Sequence, residues 1–341
     1  MAYPRIISVS TANPPHRFTQ EETLRMAGYR DRLRTGFFLN SGIDGRFLAI
    51  VPERFRPDET VDDLNDRFAA ASRDLATRVV SDCLERNGLR PGDIDFLATT
   101  TCTGRLCPSL DARLIRDLKM RPDIQRVHVG DTGCASAVVA LQQAWNHLRA
   151  FPDHTALVVP VEICSATYYL DDDPETAVAN AIFADGAAAV LLRCSGPGVK
   201  VISHSTRIEA EYLDRMGFTY PGGRPRILLS KEIRGLAGRM MRDLAGEILE
   251  KESLKKTDIR FWVLHSAGRR VLDRAARLLE FQGPELEFTR RVLQRFGNMS
   301  SATVLFVLKE ILDSGKPVSG DRGILMSLGP GFAAEGLLLE W

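Results

Sequence analysis

The sequence Gly-Cys-Ala-Ser-Ala at residues 133–137 is echoed by Gly-Asn-Met-Ser-Ser at residues 297–301. The two stretches lie 164 residues apart (297 − 133). A second pair, Asp-Ile-Asp-Phe at residues 93–96 and Asp-Ile-Arg-Phe at residues 258–261, lies 165 residues apart (258 − 93). Two pairs of similar sequences at nearly the same spacing predict that the chain is built from a duplicated unit.

The segments that follow residues 133–137 and 297–301 predict a central layer of helices. Residues 137–141 and 304–308 are apolar on every helical face, and a helix that is apolar all round is buried. Short apolar runs at residues 95–99, 126–129 and 156–161 alternate with segments of helical period, which is typical of an α/β protein. The layers are therefore predicted to run α-β-α-β-α.

The division between the two halves is predicted from their closing strands. An Ala-rich strand at residues 186–192 ends the first half, and a similar one at residues 331–339 ends the second. The turn-rich sequence Ser-Gly-Pro-Gly at residues 195–198 lies between them. We therefore place one half at residues 1–195 and the other at residues 196–341.

Charge and composition exclude several classes of partner. The 45 basic and 44 acidic residues leave a net charge of +1, which predicts neither nucleic-acid nor membrane-surface binding. No stretch approaches the roughly 20 apolar residues of a membrane span, and residues 1–5 do not open a signal peptide. The six cysteines form no CxxC pair, which favours reduced thiols, a cytoplasmic location and no metal site.

Cys134 is the candidate nucleophile. It follows a predicted strand and opens a predicted buried helix. Backbone N–H groups and the helix dipole at such a position are expected to lower the pKa of a thiol and favour the thiolate. The alternative is that Cys134 only packs, because cysteine is among the residues most often buried.

His265 and Asn298 are the candidate partners of that nucleophile. His265 ends the apolar strand at residues 261–264, and strand ends are where α/β proteins place reactive groups. Asn298 occupies the place in the second half that Cys134 occupies in the first, so we expect it to begin a central helix facing Cys134. A structural histidine and a helix cap are the alternatives. Together the three residues would supply an acyl acceptor, a proton partner and an oxyanion stabiliser.

These residues carry a resemblance to a known family. Cys134, His265 within Trp-Val-Leu-His-Ser-Ala-Gly and Asn298 within Phe-Gly-Asn-Met-Ser-Ser-Ala resemble the catalytic triad of the chalcone synthase-like, or type III, polyketide synthases of the thiolase superfamily. Residues 183–189 and 329–335 match further motifs of the family. The resemblance implies a thiolase-like five-layer fold, a homodimer, and coenzyme A thioesters as substrates without a further cofactor.

The resemblance also implies a mechanism. Cys134 would accept an acyl group from a starter thioester, with His265 helping to hold the thiolate. His265 and Asn298 would then stabilise the enolate formed when malonyl-CoA loses carbon dioxide. That carbanion would attack the acyl group on Cys134, and repeated extension would give a chain that cyclises.

Pocket positions are carried over from the family one by one. Phe183 matches a gatekeeper at the mouth of the acyl site, and Cys107 falls where one subunit reaches into its partner's cavity. The cysteine at position 164 is a point of resemblance to bacterial members of the family that build naphthalene- or phloroglucinol-type rings. Packing is the alternative role for the cysteines. The remaining positions expected to contact substrate are Cys102, Thr103, Thr167 and Ser300.

Two departures from the family pattern concern substrate binding. Arg226 lies near the place of a second gatekeeper phenylalanine, where it would favour a carboxylated intermediate. The family's basic residues for coenzyme A phosphates are replaced by residues without positive charge. Either neighbouring arginines take over their role, or an acyl carrier protein presents the acyl group. The replaced positions are Leu33, Gly36 and Asn40, and the neighbouring arginines are Arg32, Arg34 and Arg46.

Two motifs are interpreted as structural. The acidic run at residues 171–175 lacks the alternating spacing of calcium ligands and is predicted to cap a helix. The sequence Gly-Pro-Gly at residues 329–331 precedes a strand and no helix, so it is predicted to shape the backbone of the site instead of binding phosphate.

Two other functions compete with the polyketide synthase prediction. One is a β-ketoacyl-carrier-protein synthase III-like enzyme that performs a single condensation, a family that usually carries asparagine soon after the histidine. Residues 266–268, Ser-Ala-Gly, contain none. The other is a catalytically silent partner subunit, against which the intact triad argues.

Overall fold

The computed structural model describes residues 3–341. The strands are β1 (Arg5–Ala12), β2 (Arg17–Thr19), β3 (Gly45–Phe47), β4 (Phe96–Thr101), β5 (Gln125–Gly130), β6 (Ala156–Ile163), β7 (Asp185–Arg193), β8 (Val199–Ile208), β9 (Met216–Thr219), β10 (Arg226–Leu229), β11 (Phe261–Leu264), β12 (Arg322–Gly329) and β13 (Ala333–Glu340). The α-helices are α1 (Gln20–Ala27), α2 (Arg32–Leu39), α3 (Val61–Arg86), α4 (Leu110–Asp117), α5 (Ser136–Ala150), α6 (Pro174–Ile182), α7 (Ile233–Lys251), α8 (Arg269–Leu278), α9 (Glu287–Phe296) and α10 (Thr303–Asp313).

Nine strands form one mixed sheet in the order β11-β12-β13-β8-β1-β7-β6-β4-β5. The first half of the chain contributes β1 and β4 to β7, and the second half contributes the rest. The two groups join at the β1–β8 edge through two residue pairs, Arg5 with Lys200 and Ile6 with Val199. The sheets of the two halves are thus continuous.

The buried side chains form three large clusters that define the layers. The central cluster contains α5 and α10 together with strand residues from both halves, such as Val158 of β6 and Leu325 of β12. A second cluster packs α3 and α4 on the outer face of the first-half strands. A third packs α7 and α8 on the outer face of the second-half strands. The predicted five-layer α-β-α-β-α order is confirmed.

The duplicated unit is visible in the backbone. In the first half α3 is followed by a 3₁₀ turn at Pro91–Asp93 and then β4; in the second half α7 is followed by a 3₁₀ turn at Lys256–Asp258 and then β11. In each turn an aspartate carboxylate accepts the backbone N–H three residues earlier, from Arg90 to Asp93 and from Lys255 to Asp258. The same short sequence pattern therefore folds the same way twice.

Cys134 and Asn298 do not occupy equivalent positions at the starts of the two central helices. A 3₁₀ turn at Gly133–Ala135 leads into α5, whereas the corresponding turn at Ser300–Ala302 leads into α10. Asn298 lies before that turn, in an isolated parallel bridge with Phe183. The prediction that Asn298 begins the helix is therefore wrong. Its side chain caps the turn instead, because Oδ1 accepts the backbone N–H of Ser300 at 2.9 Å.

Across residues 3–341, no helix is both long and apolar enough to cross a bilayer. In the same part of the chain, no group of three or more His, Cys, Asp or Glu side chains is arranged to hold a metal ion.

Candidate active site

The loop that carries Cys134 is fitted closely against the Gly-Pro-Gly segment. Gly133 has a φ of 56°, a left-handed conformation that favours glycine. A Cβ on Gly133 would lie 2.2 Å from Cδ of Pro330, and one on Gly329 would lie 2.3 Å from the carbonyl oxygen of Thr132. The prediction that residues 329–331 shape the backbone of the site is confirmed.

Cys134 has a polar neighbour from the other half of the chain. The hydroxyl of Ser300 lies 3.4 Å from the Cys134 sulfur and 3.2 Å from the Cys102 sulfur. Burial raises the pKa of Cys134 to about 12, and the Ser300 hydroxyl opposes that rise. The prediction that this pKa is lowered is wrong, because burial disfavours the thiolate more than the Ser300 hydroxyl and a backbone N–H favour it.

His265 follows β11, as expected, and its backbone N–H donates to the Met326 carbonyl at 2.9 Å. The side chain is 1% exposed. Neither ring nitrogen has a hydrogen-bond partner within the described residues. Burial lowers the pKa of His265 to about 3, which favours the neutral imidazole. A buried ring with two unpaired nitrogens is suited to receive or donate a proton when a substrate arrives.

Asn298 is fixed by its backbone and linked to the loop after His265. Its N–H donates to the Ile182 carbonyl, and its own carbonyl accepts from Ala184, both at 2.8 Å. Its side-chain Nδ2 donates to the Ala267 carbonyl at 3.3 Å. The carboxamide therefore connects the turn before α10 to the loop that carries the histidine.

One cavity of about 180 Å³ brings the predicted triad together. Cys134, His265 and Asn298 all line it, and Phe183 lies on its wall as the resemblance implied. Its remaining walls come mainly from α2, α6, α7 and α8. The triad thus combines one residue of the first half with two of the second in a shared space.

The other expected pocket residues are not among the residues that line this cavity. Cys102 and Cys164 follow the carboxyl ends of β4 and β6, where burial raises both thiol pKa values. Thr103 and Thr167 are buried next to them. Cys107 is exposed. Their contact with substrate stays a prediction.

Glu162 is a buried charged residue that the sequence analysis missed. It is 0% exposed at the end of β6 and accepts hydrogen bonds from the Cys102 N–H at 3.0 Å and the Thr103 hydroxyl at 2.9 Å. Ser301 also donates to it. Burial raises its pKa. The signal that could have found it is a carboxylate at the end of an otherwise apolar strand.

Arg226 is not among the residues that line the cavity. Its guanidinium pairs with Asp173 at 2.6 Å and Asp171 at 3.0 Å, and its Nε donates to the Thr176 hydroxyl at 3.1 Å. These neighbouring acids neutralise its charge, and the contact of Arg226 with a carboxylated intermediate stays a prediction. Asp173 also caps α6, accepting the Glu175 N–H, so the predicted helix cap is confirmed.

Basic residues also line the cavity, and the sequence analysis did not single them out. They belong to the segment before α7 and to the first turns of α7 and α8. A pair of arginines directly after the Ser-Ala-Gly turn was the signal available in the sequence. These residues are Lys231, Arg234, Arg269 and Arg270.

Two family models cover most of the chain. The model described as FAE1/Type III polyketide synthase-like protein matches residues 38–200. The model described as chalcone and stilbene synthases, C-terminal domain, matches residues 226–341. The first match ends just after the Ser-Gly-Pro-Gly turn at residues 195–198, and the second lies wholly after that turn.

Individual proteins show the same relationship over the full length. The chain is 32% identical over 346 residues to a 3,5-dihydroxyphenylacetyl-CoA synthase of Amycolatopsis balhimycina, covering 99% of this chain and 93% of the relative. The crystal structure of 1,3,6,8-tetrahydroxynaphthalene synthase from Streptomyces coelicolor A3(2) superimposes with a TM-score of 0.92 at 28% identity, over 99% of both chains. PKS-I of the brown alga Ectocarpus siliculosus gives 0.91 at 28% identity, over 100% of this chain and 98% of the other.

The fold and the shared cavity are those of a thiolase-type condensing enzyme. The chain belongs to the type III polyketide synthase family. It is therefore an acyltransferase that catalyses decarboxylative condensation. This relationship supports the polyketide synthase prediction over the carrier-protein-dependent synthase and the silent subunit.

Proposed function

We propose that Cys134 is the acyl-accepting nucleophile, and that His265 and Asn298 activate malonyl-CoA. The observation that carries this proposal is that the three side chains line one cavity, with both His265 nitrogens unpaired among the described residues. A cysteine thiol, an imidazole and a neutral amide suffice for acyl transfer and enolate stabilisation. The chemistry then uses side chains and thioester substrates without a cofactor.

Loading moves one proton and exchanges one thioester for another. As the starter acyl-CoA enters, the Cys134 thiol gives its proton to His265 and the sulfur attacks the acyl carbonyl. The bond to the coenzyme A sulfur breaks, and that sulfur leaves with the proton. Because burial raises the pKa of Cys134, proton transfer to His265 has to accompany the attack.

Extension breaks one carbon–carbon bond and makes another. The bond between the malonyl methylene and its carboxylate breaks, carbon dioxide leaves, and the electron pair passes into an enolate. His265 and Asn298 donate hydrogen bonds to the enolate oxygen. The enolate carbon attacks the acyl carbonyl on Cys134, and the sulfur leaves as a thiolate that can accept the lengthened chain again.

The product class is proposed from the relatives. The names 3,5-dihydroxyphenylacetyl-CoA and 1,3,6,8-tetrahydroxynaphthalene describe aromatic rings with hydroxyl groups on alternate carbons. That pattern is what a chain with ketones on alternate carbons leaves after cyclisation. We propose a polyhydroxylated aromatic product here too, with Cys164 and Phe183 among the residues that limit the folded chain.

Assembly and location are part of the same proposal. Cys107 is exposed in the single chain, which supports a role at the interface of a homodimer. The six cysteines are unpaired, which supports a reducing compartment such as the cytoplasm. A monomeric mass in solution at micromolar protein concentration would contradict the dimer.

Intact-protein mass spectrometry tests the proposal. The protein is incubated with malonyl-CoA and a panel of acyl-CoA starters, and the organic products are analysed in parallel. We expect an acyl adduct that is absent from Cys134→Ala and retained by Cys107→Ala, which removes an exposed thiol instead. An adduct that persists in Cys134→Ala would contradict the role of Cys134, and loading only from an acyl carrier protein would contradict the coenzyme A substrates.

A further inference from the structure

A recess between α7 and α8 opens beside the catalytic cavity and is lined mainly by arginines. We call it the arginine recess. Two of its residues, Arg234 and Arg270, also line the catalytic cavity, so the two spaces adjoin. The recess is lined by Arg234, Gly235, Arg270, Asp273, Arg274 and Arg277.

The positive charge of the recess is not balanced by the protein. Across residues 3–341, Arg234, Arg270 and Arg274 make no ion pair with an acidic side chain. Asp273 is the acidic residue of the recess, and its carboxylate pairs at 2.8 Å with Arg290, which lies outside the recess. Because the whole chain has a net charge of +1, this is a local concentration of charge suited to an anion.

The residues on and beside α2 offer less free positive charge than the recess. Leu33, Gly36 and Asn40 on and after α2 are uncharged. Arg34 is held by Asp31 and Asp172. Arg46 is 0% exposed, and its guanidinium donates to Gln20 and to the Phe183 carbonyl. Among the arginines on and beside α2, Arg30 and Arg32 are exposed and make no ion pair within the described residues.

We propose that the arginine recess binds the phosphate groups of the coenzyme A thioesters that enter the cavity. The inference rests on the proposed use of coenzyme A substrates. It gives a binding place to the phosphate-bearing end of the substrate, which is remote from Cys134. Arginine is well suited to phosphate because its planar guanidinium forms paired, charge-assisted hydrogen bonds. A concave recess between two helices fits a nucleotide phosphate better than the broad surface of a folded carrier protein.

Steady-state kinetics with two donors test the assignment. Malonyl-CoA carries the phosphates, whereas the malonyl thioester of N-acetylcysteamine carries the same reacting group without them. For Arg270→Gln, Arg274→Gln and the double variant Arg234→Gln/Arg274→Gln, we expect the ratio of KM for malonyl-CoA to KM for the phosphate-free donor to rise about tenfold. Arg32→Gln tests the rival position on α2, and we expect its ratio to stay within about twofold of that of the unmodified protein.

Direct binding separates this inference from the proposed function. Calorimetry with adenosine 3′,5′-bisphosphate reports phosphate binding without turnover. The measurement therefore tests the recess even if no thioester is condensed. We expect binding that weakens about tenfold in the recess variants and is unchanged in Arg32→Gln. Weakening in Arg32→Gln alone would assign the phosphates to α2 and overturn the inference. Recess variants that lose activity only with a malonyl carrier protein would overturn it as well.

Discussion

The hydroxyl oxygen of Ser300 lies 3.4 Å from the sulfur of Cys134. The two residues are 166 positions apart in the chain and come from different halves. Ser300 has a φ of 49°, and its backbone N–H is held by the Asn298 side chain, so the hydroxyl is fixed where it meets the sulfur. The environment of the candidate nucleophile is therefore built in part by the second half of the molecule.

Replacing Ser300 should make Cys134 less reactive. The Ser300 hydroxyl lowers the pKa of a thiol that burial otherwise raises, so Ser300→Ala removes a stabilising contact to the thiolate. We expect alkylation of Cys134 by iodoacetamide at pH 8 to slow by about three- to tenfold, the effect of one hydrogen bond. Ser136→Ala, which removes a buried hydroxyl without a partner in the described structure, is the control. An unchanged rate in Ser300→Ala would contradict the contact.

The alkylation rate should depend steeply on pH. Because burial raises the pKa of Cys134 to about 12, the thiol is protonated throughout the neutral range, and the thiolate fraction grows about tenfold with each pH unit. We expect the rate for Cys134, followed by peptide mass spectrometry, to rise between pH 7 and pH 9.5 without a plateau. A plateau reached by pH 7 would show instead that Cys134 and His265 share the proton as thiolate and imidazolium.

Decarboxylation should depend on His265 and Asn298 but not on Cys134. In the proposed mechanism the enolate oxygen is held by the imidazole and the carboxamide, whereas the sulfur takes part only in acyl transfer. We expect His265→Ala and Asn298→Ala to lower the release of carbon dioxide from malonyl-CoA by at least about a hundredfold. Cys134→Ala should retain that release while losing condensation. Loss of carbon dioxide release in Cys134→Ala alone would contradict the division of roles.

The close approach between the Gly-Pro-Gly segment and the Cys134 loop should be sensitive to a single methyl group. In Gly329→Ala the new Cβ would meet the Thr132 carbonyl oxygen at 2.3 Å, which forces the two backbones apart. We expect a loss of about 2 kcal/mol in the free energy of unfolding, measured by denaturant titration. Gly130→Ala adds the same methyl group where no atom lies within 4 Å, and it should leave stability nearly unchanged. Equal effects in both variants would contradict the packing argument.

Arg226 should behave as a structural residue. Its ion pairs with Asp171 and Asp173 hold β10 against the start of α6, and they are partly exposed. We expect Arg226→Gln to lower the free energy of unfolding by at most about 1 kcal/mol, with KM values for acyl-CoA starters unchanged. A selective rise in KM for a carboxylated starter would restore the binding role that the sequence suggested.

Local patterns in the sequence were sufficient for the fold. The apolar runs, the all-apolar segments after Cys134 and Asn298, and the two echoes at 164 and 165 residues predicted the five layers and the duplication. They succeeded because strands and buried helices are specified by side-chain periodicity within a few residues. The candidate triad was predictable for a related reason, since each member follows a short motif at the end of a strand or near the start of a helix.

The pKa values and ion pairs that depend on distant parts of the chain could not be predicted from local sequence patterns. The sequence suggested a lowered pKa for Cys134 and a substrate contact for Arg226. The structure buries the thiol and surrounds the arginine with acids from the 171–173 segment. Glu162 and the arginine recess were missed because their surroundings are assembled from several elements.

The sequence by itself determined the layers, the duplication and the identity of the three candidate catalytic residues, because these follow from local periodicity and short motifs. Only the tertiary structure decided which charges are neutralised, which remain free at the cavity and how strongly each titratable group is desolvated. The physical reason is that electrostatic free energy depends on distance and burial in space. Residues 166 positions apart, such as Cys134 and Ser300, set those quantities together.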